Sequence, residues 1–334
     1  LPDDKTITTP IKLGFIGAGA MATWQTYPSL HFAPFELVAV CDIDEERAAQ
    51  VARTFGGTSY TDYRQMLQRE SLEAVIVQMH PKPRAAIVED CLATGHHVLV
   101  PKPPAMDTRE ATHLATLARE NDRILMVNVQ RRFSFGVTEA LKIIRSPEFG
   151  PISQILCSFC SGAYDQVRGA NYESPVHAYV IDFALHHLDL CRYLCGEFKT
   201  LSIQHNQTDG RVAIAGAATF ENGAVGSLQL NSQRIWWRNY DRIEITGQGA
   251  YVVIDGLWGI KHYRQGENTF TENYSDERSG ELTGDAGTLI EFTKAIREAR
   301  EPVANMADCV NTIRVAEAVY LAVRDGHQGE IDLS

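Results

Sequence analysis

Three side chains of the kinds that move protons or steady a reacting oxygen stand out along the chain: Lys102, Asp182 and His186. Asp182, His186 and Asp189 recur at i, i+4 and i+7, a spacing that lines all three along one face of a helix. Histidine is the side chain most readily tuned to take a proton near neutral pH, and a neighbouring carboxylate can orient it. The same trio also suits a metal ion, and a histidine among apolar residues is often a packed core group. Proton transfer is preferred here, because removing hydride from an alcohol needs only a base. His187 points roughly 100° away and is assigned to packing or a secondary contact. Lys102 sits in Val100-Pro101-Lys102-Pro103-Pro104, a segment stiffened by its prolines. It is either a surface lysine on a rigid loop or a group placed to touch both a substrate and a nicotinamide cofactor.

A second constellation lies near the start. Gly17-x-Gly19-x-x-Ala22 follows an apolar strand and opens a helix. Gly17 permits the tight turn, Gly19 lets backbone approach a pyrophosphate, and Ala22 is small enough for helix–strand packing. The N–H groups around Ala20, Met21 and Ala22 face outward to receive phosphates. Asp42 ends the next strand, twenty residues after Ala22, where a carboxylate can accept from both hydroxyls of an adenine ribose. A 2′-phosphate beside that carboxylate would be repelled, so NAD is expected in preference to NADP. Arg47, one helical turn on, is the one cation placed to modify that choice.

These groups need a scaffold that brings strand ends to a crevice. Ile11–Ile16, Glu36–Cys41, Leu72–Gln78, Val98–Val100 and Ile124–Val129 read as short strands buried on both faces. Amphipathic helices alternate with them, two of which stop at Gly56-Gly57 and Gly95. The reading is an α/β N-terminal Rossmann domain with a doubly wound parallel sheet, residues 1–130. After residue 130 the pattern changes to helices interleaved with longer alternating strands, and Glu221-Asn222-Gly223 marks a hairpin. Residues 131–334 therefore read as an α+β domain on a large, mostly antiparallel open sheet, serving substrate binding and oligomerisation.

Composition narrows the function classes. The chain has 334 residues, 44% hydrophobic and 22% charged, which is globular and long enough for two domains. With 31 Lys and Arg against 42 Asp and Glu, the formal charge is −11, which argues against nucleic-acid and anionic-membrane partners. No apolar run reaches membrane-helix length. Seven scattered cysteines suit a reducing, cytoplasmic setting better than a disulfide framework. Cys157-x-x-Cys160 with Cys191-x-x-x-Cys195 is too loosely spaced to expect a metal. The first residue is Leu1, and a leader ahead of it stays open.

Taken together, these residues resemble the glucose–fructose oxidoreductase / inositol dehydrogenase / rhizopine catabolism family of nicotinamide-dependent oxidoreductases. The resemblance runs through Gly14-Phe15-Ile16-Gly17-Ala18-Gly19, Val38-Ala39-Val40-Cys41-Asp42, Thr61-Asp62-Tyr63 and Gly95-His96-His97-Val98. It continues through Lys102-Pro103, Asp182-x-x-x-His186-x-x-Asp189 with Gly196, and Glu291-Phe292 to Pro302. It implies a substrate held between the two domains, with His186 taking a hydroxyl proton, Lys102 hydrogen-bonding the reacting oxygen, and Asp182 assisting. It also implies a homodimer or homotetramer formed through the C-terminal sheet.

Two residues depart from the family pattern. Pro101 replaces a glutamate, and Arg84 stands where a histidine is common, with His80 nearby as a candidate replacement at the cofactor. Expected substrate contacts are Arg131, Tyr164 and Trp236 beside Lys102, Asp182 and His186. Tyr164 has Arg168 and Asn171 as neighbours in its loop, and Trp236 is followed by Trp237 and Arg238. The substrate is expected to be a sugar, cyclitol or polyol. A redox-assisted glycosidase and a non-catalytic NAD-binding regulator are the competing readings.

Overall fold

A computed structural model describes residues 9–161, 172–233, 240–266, 271–274 and 284–333. Its first unit is organised by six short strands: β1 (Ile11–Ile16), β2 (Phe35–Cys41), β3 (Thr58–Tyr60), β4 (Ala74–Val77), β5 (His97–Pro101) and β6 (Leu125–Asn128). They form one parallel sheet in the order β3-β2-β1-β4-β5-β6. Strand β4 is buried along its whole length, as a strand covered on both faces must be. The strand order reverses between β1 and β4, so their carboxyl ends open the crevice in which such sheets bind ligands. Helices α1 (Tyr27–Ser29, preceded by a π turn at Ala22–Thr26), α2 (Glu45–Phe55), α3 (Tyr63–Arg69), α4 (Pro81–Ala93) and α5 (Thr108–Glu120) join the strands. Asp44 and Asp62 cap α2 and α3 by accepting the N–H groups of Arg47 and Arg64.

The second unit holds α6 (Phe135–Ile144), β7 (Ile152–Cys160), α7 (Pro175–Ala178), a π turn (Tyr179–Ala184) and α8 (Leu185–Cys195). Then follow β8 (Phe198–Thr208), β9 (Arg211–Phe220), β10 (Val225–Asn231), β11 (Tyr240–Gly247), β12 (Ala250–Asp255), β13 (Gly259–Arg264) and β14 (Thr271–Tyr274). After α9 (Asp285–Glu298) and α10 (Met306–Arg324), β15 (Gly329–Ile331) completes a nine-stranded sheet ordered β14-β13-β12-β11-β7-β10-β9-β8-β15. Only the β7–β10 pair is parallel. The Glu221–Gly223 hairpin forms as read, with Gly223 at φ +88°.

Division of the chain differs from a single cut after residue 130. The first unit takes the described residues up to Pro104, Thr112–Asn128 and also Asp285–Ala307; the second takes Ala105–Ala111, Val129–Gly284 where described, and Asp308 onward. Helix α9 belongs with the parallel sheet because its contacts lie there. Val127 N–H donates to the Ala304 carbonyl at 2.8 Å, Gln25 Nε2 reaches both oxygens of Asp285 at 2.9 Å, and Phe292 packs near Phe35. Periodicity reveals that a helix exists but not which core receives it.

In the second unit, α8 is buried on nearly every side. Its Leu185, Leu188 and Cys191 share one core with Ile155, Cys157 and Phe159 of β7. A helix sunk this deeply must satisfy its own charges internally. Asp189 accepts from Arg132 Nε at 2.8 Å and Nη2 at 2.5 Å, and from Thr312 Oγ1 at 2.8 Å. Arg192 donates to Thr312 and pairs with Glu197 and Asp308. Asp189 is thus an anchor and not a third member of the reactive face. Removing one partner of such a fork strands the other in low dielectric. Asp189→Ala is expected to lower unfolding free energy by about 3–5 kcal/mol in urea titrations; a loss under about 1 kcal/mol would show that the fork contributes no more than a surface pair.

Candidate active site

The candidate cofactor residues of the first unit begin at the turn that leaves β1. Gly17 has φ +111°, and a Cβ there would lie 2.1 Å from the Gln78 carbonyl oxygen at the end of β4. Only glycine fits such an approach. Above Gly19, in contrast, nothing lies within 4 Å of the position a Cβ would take. That open backbone at a helix start is the space a pyrophosphate needs, so the residues fit a dinucleotide. Tyr27 braces the turn from beneath, its hydroxyl donating to the Gly17 carbonyl at 3.2 Å and its ring stacked on Phe15.

Asp42 does more than the sequence suggests. Its Oδ2 accepts the Ala18 N–H at 2.8 Å; its Oδ1 accepts Asp44 N–H at 2.9 Å and Arg47 Nη2 at 2.8 Å. Burial pushes this carboxyl up, but the hydrogen bonds from Arg47, Asp44 and Ala18 outweigh burial and hold it below its usual range. The carboxylate therefore stitches the end of β2 to the glycine turn. His80 is exposed ahead of α4, and its side chain makes no capping hydrogen bond. Lys102 is half-buried just past the end of β5, on the carboxyl edge of the sheet.

A separate group of candidate residues lies on the α7–α8 segment of the second unit. Ser174 caps it by accepting the His177 N–H, and Gly196 ends it at φ +98°. Asp182 is inside the π turn, and His186 is in the first turn of α8. A π turn takes one residue more per turn than an α turn. Four residues that include such a turn come close to a full circuit, so Asp182 and His186 are expected on one face of the segment. Both are buried, at 8% and 5% exposure.

His187 faces the opposite way, stacked 4.0 Å from the Phe159 ring. Its Nε2 lies 2.6 Å from Asp241 Oδ1, and Arg131 pairs with the same oxygen. Two donors converge on Asp241, which assigns the His187 proton to Nε2. The Arg131–His187 approach of 3.2 Å is then two donors sharing one acceptor. Arg131, expected to contact substrate, is buried and pairs with Asp241. Tyr164 and Trp236, with Arg168, Asn171, Trp237 and Arg238, lie outside the described residues. Among the described residues no cluster of three or more His, Cys, Asp or Glu suits a metal, and no helix is long and apolar enough to cross a membrane.

Residues 11–129 match the family described as oxidoreductase family, NAD-binding Rossmann fold, and residues 137–253 match the GFO/IDH/MocA C-terminal domain. The chain belongs to the GFO/IDH/MocA oxidoreductase family. It is an NAD-dependent oxidoreductase. D-apiose dehydrogenase of Paraburkholderia graminis is 22% identical over 337 residues, covering 96% of this chain and 88% of that protein. Myo-inositol 2-dehydrogenase of Thermotoga maritima is 21% identical over 262 residues, 74% of this chain and 76% of its own. In fold, levoglucosan dehydrogenase in complex with NADH and levoglucosan superposes with TM-score 0.85 at 19% identity, covering 96% of this chain and 99% of that one.

Against that family pattern, Asp241, the anchoring role of Asp189 and the buried position of Arg84 were not read from the sequence. Arg84 had a visible signal. It shares a helical face with Val88 and Cys91, so a charge sits on an apolar stripe.

Two outcomes follow from the site's geometry. Gly17→Ala should destabilise the fold by about 2 kcal/mol or more, because its clash is with backbone. Gly19→Ala should keep the melting temperature and weaken NADH binding by about tenfold; equal effects of both on stability would contradict the assignment. Burial pushes the His187 imidazole down to about 4, despite Asp241, from 6.5. The unfolded chain takes up that proton first, so its contribution to folding is full above pH 6.5 and fades as pH falls toward 4. Stability should drop across this window by up to about 3 kcal/mol for this group, and His187→Phe should flatten the slope measured by urea unfolding at stepped pH.

Proposed function

We propose that this oxidoreductase removes hydride from a secondary hydroxyl-bearing carbon of a sugar, cyclitol or related polyol. The burial of Asp182 and His186 four residues apart on one segment is the observation that carries this reading. Bound NAD supplies the hydride acceptor at its nicotinamide. As the C–H bond breaks, His186 takes the hydroxyl proton, and Asp182 orients the imidazole and stabilises its charged form. Lys102 donates to the oxygen as negative charge builds there and the carbonyl forms. Gly17, Gly19, Ala20, Met21, Ala22 and Asp42 hold the dinucleotide, with His80 at its nicotinamide end.

The substrates named in its relatives, D-apiose, myo-inositol and levoglucosan, set the chemical class for a first screen. The outer face of the nine-stranded sheet leaves Leu156 and Val225 exposed, which supports a homodimer or homotetramer joined there. Sedimentation at the mass of one 37.1 kDa chain would contradict it.

NADH formation should appear with at least one such polyol, and His186→Ala should lower kcat by about 10²–10⁴-fold while leaving NADH affinity near that of the wild type. Undiminished turnover in His186→Ala would refute the base assignment. Release of a free sugar from a glycoside without net NADH would favour the redox-assisted glycosidase instead.

A further inference from the structure

We infer that Arg84 is the positioning residue of Lys102, a clamp that fixes the lysine loop from beneath. The inference rests on the reading of Lys102 given above and deepens it. Arg84 lies in the first turn of α4, is 2% exposed, and ranks among the largest fully buried side chains. Its Nη1 donates to the Met79 carbonyl at 3.1 Å, and its Nη2 donates to the Pro103 carbonyl. One guanidinium thus ties the chain just beyond β4 to the residue that follows Lys102 after β5. Both attachment points lie at the carboxyl edge of the parallel sheet, where the ligand crevice of this fold opens.

The chemistry of the loop explains why an external donor is needed. Pro101, Pro103 and Pro104 have no N–H, so between residues 101 and 104 only Lys102 has a backbone donor. The segment is rich in carbonyls and poor in groups to satisfy them. Buried carbonyls without donors are costly. An arginine fork supplies several N–H groups in a fixed plane, which a histidine or lysine cannot match. Burying a guanidinium is itself unfavourable, and here two main-chain carbonyls help offset that cost. Arg84, one of the two departures from the family pattern, thus donates to Pro103, two residues past the other, Pro101: the loop with fewer donors is served by the residue with more. Held at Pro103, Lys102 keeps one direction for its side chain instead of sampling several.

The test uses the full chain and acetic anhydride, with mass spectrometry reporting acetylation at each lysine. Lys12, Lys82 and Lys294, in the same unit, serve as internal standards. In Arg84→Met, Lys102 should be acetylated about tenfold faster, the scale of one lost hydrogen bond from a charged donor, with the three standards unchanged. Arg84→Lys, which restores one donor, should fall between. NADH should protect Lys102 in the wild type and protect it far less in Arg84→Met. An unchanged Lys102 rate in both variants, or a rise shared by Lys12, Lys82 and Lys294, would overturn the clamp. If Arg84→Met does not fold, the Arg84→Lys comparison decides alone. Absence of NADH protection in the wild type would instead sink the placement of Lys102 beside the nicotinamide, a result separable from the clamp's own failure.

Discussion

The fork between Arg132 and Asp189 is the interaction on which the second unit's chemistry depends. A helix that carries a proton acceptor into a protein interior must be apolar enough to stay there and still hold its charges in place. The α8 segment meets both demands. Leucines and cysteines fill the core around it, while Arg132, Asp189, Thr312 and Arg192 form a linked set of buried donors and acceptors that runs out to Glu197 and Asp308. With Asp189 fixed, rotation of α8 about its axis is blocked, and His186 keeps its face. Asp241 restrains the other side through His187. The π turn carries Asp182 on the same buried segment, immediately ahead of these anchors.

The cofactor end follows a related logic with exposed charge in place of buried charge. An acidic chain must hold an anionic dinucleotide with local dipoles, and the backbone N–H groups after Gly17 supply them without cationic side chains. Asp42 shapes that turn by accepting the Ala18 N–H, and it shares its second oxygen with Arg47. The same carboxylate proposed to receive a ribose hydroxyl is therefore also a structural tie between β2 and the glycine turn. Arg47 is half exposed and pairs with Asp42 across a surface where such pairs exchange readily with solvent.

Much of this was legible in the sequence because it follows period and spacing. Apolar β-branched runs marked β1, β2, β4, β5 and β6, and the glycine spacing located the turn. Strand β3 escaped because Thr58–Tyr60 is a short, largely exposed edge with no apolar run. Helix α4 starts at Pro81, since proline is well suited to a first helical turn. The π turn left no trace, because one extra residue in a helix buried on all sides does not alter an apolar stripe. The pairing of Arg131 with Asp241 was hidden for a related reason. A charged residue beside a domain crossing looks available to ligand until its buried partner, more than a hundred residues away, is known. Spacing along the chain cannot reveal such long-range pairing.

The central claim is that His186 accepts the proton as hydride leaves. The pH dependence of kcat/KM with an active polyol tests it most directly. The wild type should lose activity on the acid side, about tenfold per pH unit once the base is protonated, and that limb should vanish in His186→Gln. An acid limb of the same midpoint and slope in both proteins would contradict the claim.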